Sequence, residues 1–193
     1  GEEKCIFSIF GRKKMSDLTI GAMPYSFEGS MFEFQSIEQF KTKWQDLYDR
    51  KGTEEYSLEF LDGSKIEQKI YQTLEIDSVG SVDPMDLELF FEILEEDKIK
   101  TEAQAFAFEI LLSHFQVRAE DALRYIDDVL LFEGTGSEYA EEFWHECFDM
   151  SSIPAVIADN VDWEKIAHDW ECAGDIIVFR KQGFVLTNPH SVG

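Results

Sequence analysis

The chain has 193 residues, 44% of them hydrophobic and 17 of them phenylalanine, so it folds despite a formal net charge of −23; disordered acidic chains lack that much aromatic material. Its apolar runs are only a few residues long, which excludes a transmembrane helix, and its opening "GEEKCIFSIFGRKK" starts with acids and lacks the apolar core of a signal peptide. Cys5, Cys147 and Cys172 form neither a C-x-x-C motif nor a disulfide framework, and read as buried or idle thiols of a cytoplasmic protein.

The first eighty residues read as a small α+β unit. "KCIFSIF" and "LTIGAMPYSF" are strand candidates. "SIEQFKTKWQDLYDRKG" predicts a helix with Ser36 as N-cap, Gln39 at the capping-box position and Gly52 as the stop. Phe40, Trp44, Leu47 and Tyr48 form its buried face. "EEYSLEFLDG" alternates like a strand before an Asp-Gly turn, and "KIEQKIYQTLEI" behind that turn is assigned to a strand.

From Val79 the pattern turns helical. "DPMDLELFFEILEED" starts with Asp83 as cap and Pro84 at the first helical position. "TEAQAFAFEILLSHF" has a second box in Thr101 and Gln104, and "RAEDALRYIDDVL" follows. "GTG" at 134–136 reads as an interior linker, with Ser137 capping "SEYAEEFWHECFD". After "SSIP" and a short helical turn, "DWEKIAHDWECAG" predicts a helix ended by Gly174, and "IIVFRKQGFVLT" a hairpin turning at Gln182-Gly183. These elements give domains at 1–80 (α+β), 81–130 (helical and acidic) and 131–193 (α+β with a closing hairpin).

The charge is concentrated. Residues 1–74 hold 13 acids against 10 bases, whereas residues 75–175 hold 27 acids against five bases, a net charge of −22. A disordered tail, a solubility device and a surface for a basic partner each produce such a block. Apolar residues at helical spacing exclude the first. On a helix, Glu138, Glu141, Glu142, His145, Glu146 and Asp149 share one face, and Tyr139, Ala140, Phe143, Trp144, Cys147 and Phe148 the other. The pairs Glu138–Glu142 and Glu142–Glu146 each destabilise the helix by roughly 0.2–0.5 kcal/mol. An alternating Glu/Lys surface dissolves equally well without that penalty, so solubility explains the pattern poorly.

At a rise of about 1.5 Å per residue these carboxylates recur every roughly 3–4 Å, close to the about 3.4 Å phosphate spacing along one DNA strand. The theme repeats in Asp83, Asp86, Glu88, Glu92, Glu95, Glu96 and Asp97; in Glu120, Asp121, Asp127, Asp128 and Glu133; and in Asp159, Asp162, Glu164, Asp169, Glu171 and Asp175. Such a coat suits occupation of a positively charged DNA-binding groove.

Catalytic and metal readings are weaker. Glu141/His145 and Glu164/His168 stand at i,i+4 but lack a third ligand and do not form H-E-x-x-H. His145 and Cys147 point in different directions on a helix. No calcium loop, phosphate loop, G-x-S-x-G or dinucleotide motif is found. No catalytic residue, metal ligand or cofactor is assigned, and nucleic-acid binding is excluded for residues 75–175 because phosphates would be repelled.

The stretch 137–186 resembles the C-terminal region of the ArdA antirestriction family: Glu138, Tyr139 and Ala140; Ile153 and Pro154; Val161, Asp162, Trp163 and Glu164; Ile166, Ala167, His168 and Asp169; then Gly174 and Asp175 before the hairpin. The resemblance implies a protein of mobile genetic elements that mimics bent duplex DNA and blocks type I restriction-modification enzymes. It also implies an elongated homodimer of three small domains per chain, joined through the C-terminal domains. The expectation is a cytoplasmic, non-enzymatic inhibitor with the acids of 83–97 and 120–175 as phosphate surrogates. The alternative is an acidic adaptor for another basic or defence protein.

Overall fold

The structure, a computed structural model, describes residues 18–25, 29–52, 55–76 and 84–192. The expected strand at 4–10, the "GRKK" cluster, Cys5 and Asp83, as cap and as candidate acid, lie outside the described residues. The fold is α+β, as the sequence predicts, with two three-stranded sheets and their helices. Contacts gather the chain into two compact units, residues 1–99 and residues 100–193. The span 81–130 is therefore shared between them.

In the first unit, strands β1 (Thr19–Pro24), β2 (Phe32–Phe34) and β3 (Tyr56–Asp62) form an antiparallel sheet in the order β2-β1-β3. The register sets Ile20 opposite Phe34 and Ala22 opposite both Phe32 and Leu58. One face of the sheet, with Ile20, Ala22, Phe34 and Leu58, is buried. Helix α1 (Ile37–Lys51) begins and ends where its caps predict: Ser36 Oγ accepts from Gln39 N–H, and Gly52 takes the left-handed conformation at φ 64°. Of its expected buried face only Phe40 is buried, 5.0 Å from the Phe34 ring, while Tyr48 stays exposed.

The segment after β3 is a helix, not a strand: α2 (Lys65–Thr73). Ser64 accepts from Glu67 N–H and the Glu67 carboxylate accepts from Ser64 N–H, a complete capping box. Ile66, Ile70, Tyr71 and Leu74 then recur at helical spacing, and that period outweighs the Asp-Gly turn that suggested a hairpin. Helix α3 (Pro84–Glu95) completes the core with Leu87, Phe90 and Phe91; Phe90 meets Tyr71 at 5.6 Å and Phe91 meets Phe34 at 6.3 Å.

The second unit is built on α4 (Glu102–Ser113), whose Ala105, Phe106, Ala107, Phe108, Ile110 and Leu111 are all buried. Burial on every side identifies a central helix. Thr101 caps it through Gln104 N–H. Helix α5 (Ala119–Tyr125) leads through a 3-10 turn to β4 (Leu131–Glu133), a strand the sequence pattern does not reveal. Then come α6 (Gly136–Cys147), the short α7 (Ala155–Ala158), α8 (Trp163–Ala173), β5 (Ile177–Phe179) and β6 (Phe184–Leu186). The sheet order is β4-β6-β5, with Leu186 opposite both Leu131 and Ile177. The hairpin loop spans residues 180–183 rather than a two-residue turn, and Gly183 (φ 72°) and Gln182 both donate to Phe179 O. The Asn188 side chain ties the sheet edge, accepting from Leu130 N–H and donating to Asp128 O.

Replacing Ser64 with alanine removes one half of the α2 capping box. Urea unfolding should show a loss of about 1 kcal/mol; an unchanged midpoint would mean that the box contributes nothing.

Candidate functional site

The twenty-two candidate carboxylates among the described residues are all accessible: nineteen are exposed, and Asp97, Asp121 and Glu171 are half-buried. Asp86, Glu88, Glu92, Glu95, Glu96 and Asp97 belong to α3 and its C-terminal turn in the first unit; the others belong to the second.

Helix α6 carries the densest row. "GTG" is not a linker. Gly136 is the buried first residue of the helix, and the cap is Thr135, two residues before the expected Ser137. Thr135 Oγ1 accepts from Glu138 N–H, while the Glu138 carboxylate accepts from Thr135 N–H at 2.7 Å and from its hydroxyl at 2.8 Å. The backbone donation, then the hydroxyl, hold the Glu138 carboxyl below its ordinary range. Glu138 is thus both a surface charge and the cap of its helix.

The apolar side of α6 packs on α8. A methyl group on Gly136 would come within 3.2 Å of Ala167 Cβ and 3.3 Å of Val178, so a larger residue here would require these neighbours to give by a few tenths of an ångström. Tyr139 and Phe143 lie 6.0 and 5.4 Å from the Trp170 ring, and Trp144 stacks on Phe148 at 4.3 Å. The expected buried aromatic face is only partly covered: Phe143 is 36% and Phe148 49% exposed, and Cys147 is exposed. Cys172 is exposed too, so neither described thiol is buried.

Four cations of the second unit stand against carboxylates. Arg118 pairs with Glu120 at 3.1 Å, Arg124 with Asp121 at 3.7 Å and Lys165 with Asp169 at 3.0 Å. Arg180 grips Glu171 with two bonds of 2.9 and 2.6 Å, joining the hairpin loop to α8. That donation, with the guanidinium charge, keeps the Glu171 carboxyl below its ordinary range. Asp127, Asp128, Glu133, Glu142, Glu146, Asp159, Glu164 and Asp175 are exposed and make no ion pair among the described residues. Formal charge counting finds the excess of acid but not this division. The Lys165–Asp169 pair is legible as an i,i+4 spacing, whereas Arg180–Glu171 exists only once the hairpin folds back.

His145 Nε2 lies 4.0 Å from Glu141, and His168 lies beside Cys172, whose Sγ is 3.6 Å from Nε2. No three His, Cys, Asp or Glu side chains converge as a metal site requires among the described residues, and no helix there is long and apolar enough to cross a membrane.

An α+β scaffold whose candidate carboxylates are all accessible, with four cations of the second unit paired and much of the acid not, defines an acidic surface protein. The family model described as Antirestriction protein (ArdA) matches residues 25–185, and the chain belongs to that family. It is accordingly an antirestriction protein, of a family that inhibits restriction enzymes. Comparison with curated proteins and with solved structures finds no match.

Because the Glu171 carboxyl is lowered in the fold, its pair with Arg180 stabilises the protein fully above the ordinary value of 4.5 and is lost as pH falls through the lowered one. Arg180→Met should therefore unfold more easily than wild type at pH 7, with the gap closing in acid. A gap that does not change with pH would assign the effect to lost packing.

Proposed function

We propose that this protein is a mimic of duplex DNA that occupies the DNA-binding groove of type I restriction-modification enzymes and so prevents restriction. The observation that carries this reading is the division of charge. Lys98, Arg118, Arg124 and Lys165 inside the acidic block are held by neighbouring carboxylates, while Glu142, Glu146, Glu164 and Asp159 stand exposed on or beside the α6–α8 pair without ion pairs among the described residues. A groove built to bind phosphates supplies lysines and arginines, which find carboxylates here at similar linear density. The α3 acids add to this surface in the first unit, where Glu88 and Glu96 are paired with Lys41 and Lys98.

The inhibitor works in the cytoplasm without catalysis, cofactor or nucleic acid of its own. Two copies associate through their C-terminal units. Phe143 of α6 and Phe148 at its C-terminal cap fit that role, because both rings are exposed. A Phe148→Asp variant should then sediment as a monomer where wild type is a dimer; an unchanged mass would place the dimer contact elsewhere.

Binding through a distributed field weakens with ionic strength. Affinity for the inhibited enzyme should fall by orders of magnitude between about 50 and 200 mM salt, as for ligands that engage many phosphate contacts. Single charge reversals such as Glu142→Lys should cost roughly 0.2–1 kcal/mol each, and Glu142→Lys with Glu146→Lys and Glu164→Lys should cost more than any one. Salt-independent binding would overturn the mimic. Tight, salt-sensitive binding to basic proteins outside restriction enzymes would favour an acidic adaptor.

A further inference from the structure

Residues 154–157, "PAVI", are four consecutive apolar positions, and every one is exposed. They form the start of α7, where Val156 is 73% and Ile157 57% accessible, the first being the most exposed large apolar residue of the second unit. A folded surface does not retain such a run without a use for it. The turn is rigidly built: Ile157 and Ala158 N–H donate to Pro154 O, Asp159 N–H donates to Ala155 O, and the Asn160 side chain donates to Val156 O.

What surrounds the run decides its occupant. Asp149 precedes it, and Asp159 and Asp162 follow it; all three are exposed and none makes an ion pair among the described residues. Asp149 and Asp162 accept hydrogen bonds from Ser151 and from Lys165 N–H, which are neutral donors. The segment 149–162 contains no lysine or arginine. A second copy placed on this run would bring its own carboxylates against these, and like charges brought together across an interface are strongly unfavourable. A basic partner meets the reverse situation, attraction at the rim and apolar contact in the middle, which is the usual layout of an energetic centre in an interface.

We infer that Val156 and Ile157 are an apolar anchor that inserts into the DNA-binding groove of the inhibited restriction enzyme, between the basic side chains that hold the flanking carboxylates. This rests on the DNA-mimic reading and adds a short-range contact that DNA phosphates do not make. It separates two apolar surfaces of the unit: Phe143 and Phe148 serve the second copy, and the α7 run, flanked by acid, serves the target.

The test uses the full chain and a purified type I restriction-modification enzyme that wild type inhibits. The double variant Val156→Ser, Ile157→Ser should bind that enzyme about tenfold or more weakly, with the slope of affinity against salt and the sedimenting mass both unchanged. Val156→Leu with Ile157→Leu, which keeps the apolar area, should hold most of the affinity. Unchanged affinity in the serine variant would overturn the anchor, and so would conversion of that variant to a monomer. If wild type itself binds no such enzyme, the mimic reading fails and the anchor with it, an outcome distinct from a wild type that binds and a serine variant that binds equally.

Discussion

The approach of Gly136 to Ala167 sets the rest of the second unit. A helix with carboxylates at i and i+4 and no cations to separate them is held by what its other side touches, because its own surface opposes folding. With Gly136 and Ala140 on one helix and Ala167 on the other, the α6 and α8 backbones come close enough for Tyr139, Phe143 and Trp170 to interlock beyond them. Ring contacts and buried area then outweigh a repulsion of a few tenths of a kcal/mol per like pair. The acid can stand outward because the seam beneath it is closely packed.

Charge in this protein performs two tasks that a count of acids does not separate. Glu138 and Glu67 close capping boxes, Asp149 and Asp162 order turns, and Glu171 and Asp169 fix cations. Others, among them Glu142, Glu146 and Glu164, have no internal partner among the described residues. The first group makes the backbone rigid; the second supplies the field that leaves the surface. Placing a rigid frame under an unneutralised row keeps the charges at fixed spacing, which a flexible acidic tail does not do.

Most of this was legible where local chemistry governs. Ser36 with Gly52, Thr101 with Gln104, and Gly174 each marked a helix end correctly, since caps act over three or four residues. Helix α2 departs from the strand expected there because the Ser64–Glu67 box and the Ile66, Ile70, Leu74 spacing outweigh the Asp-Gly turn signal. Strands β2 and β4 escaped notice, since three residues carry too little alternation to register. The partial exposure of Phe143 and Phe148 was hidden for another reason: amphipathic spacing tells which side of a helix is apolar, not how far the neighbouring helix extends to cover it. The acidic character of the surface was plain from composition, but the pairing of Arg180 with Glu171 depends on a hairpin returning to α8.

The order of the strands also bears on how the protein is made. In the first unit β1 finds both its neighbours by residue 62. In the second, β4 at 131–133 waits for β6 at 184–186, and Asn188 closes the edge later still. Domains fold as units during synthesis, the N-terminal one first. The first unit can therefore complete itself while the ribosome is still extending the chain, whereas the densely acidic α6 emerges long before the strand that locks its sheet. Until then its rings have no finished seam to enter, and its negative charge keeps nascent chains apart.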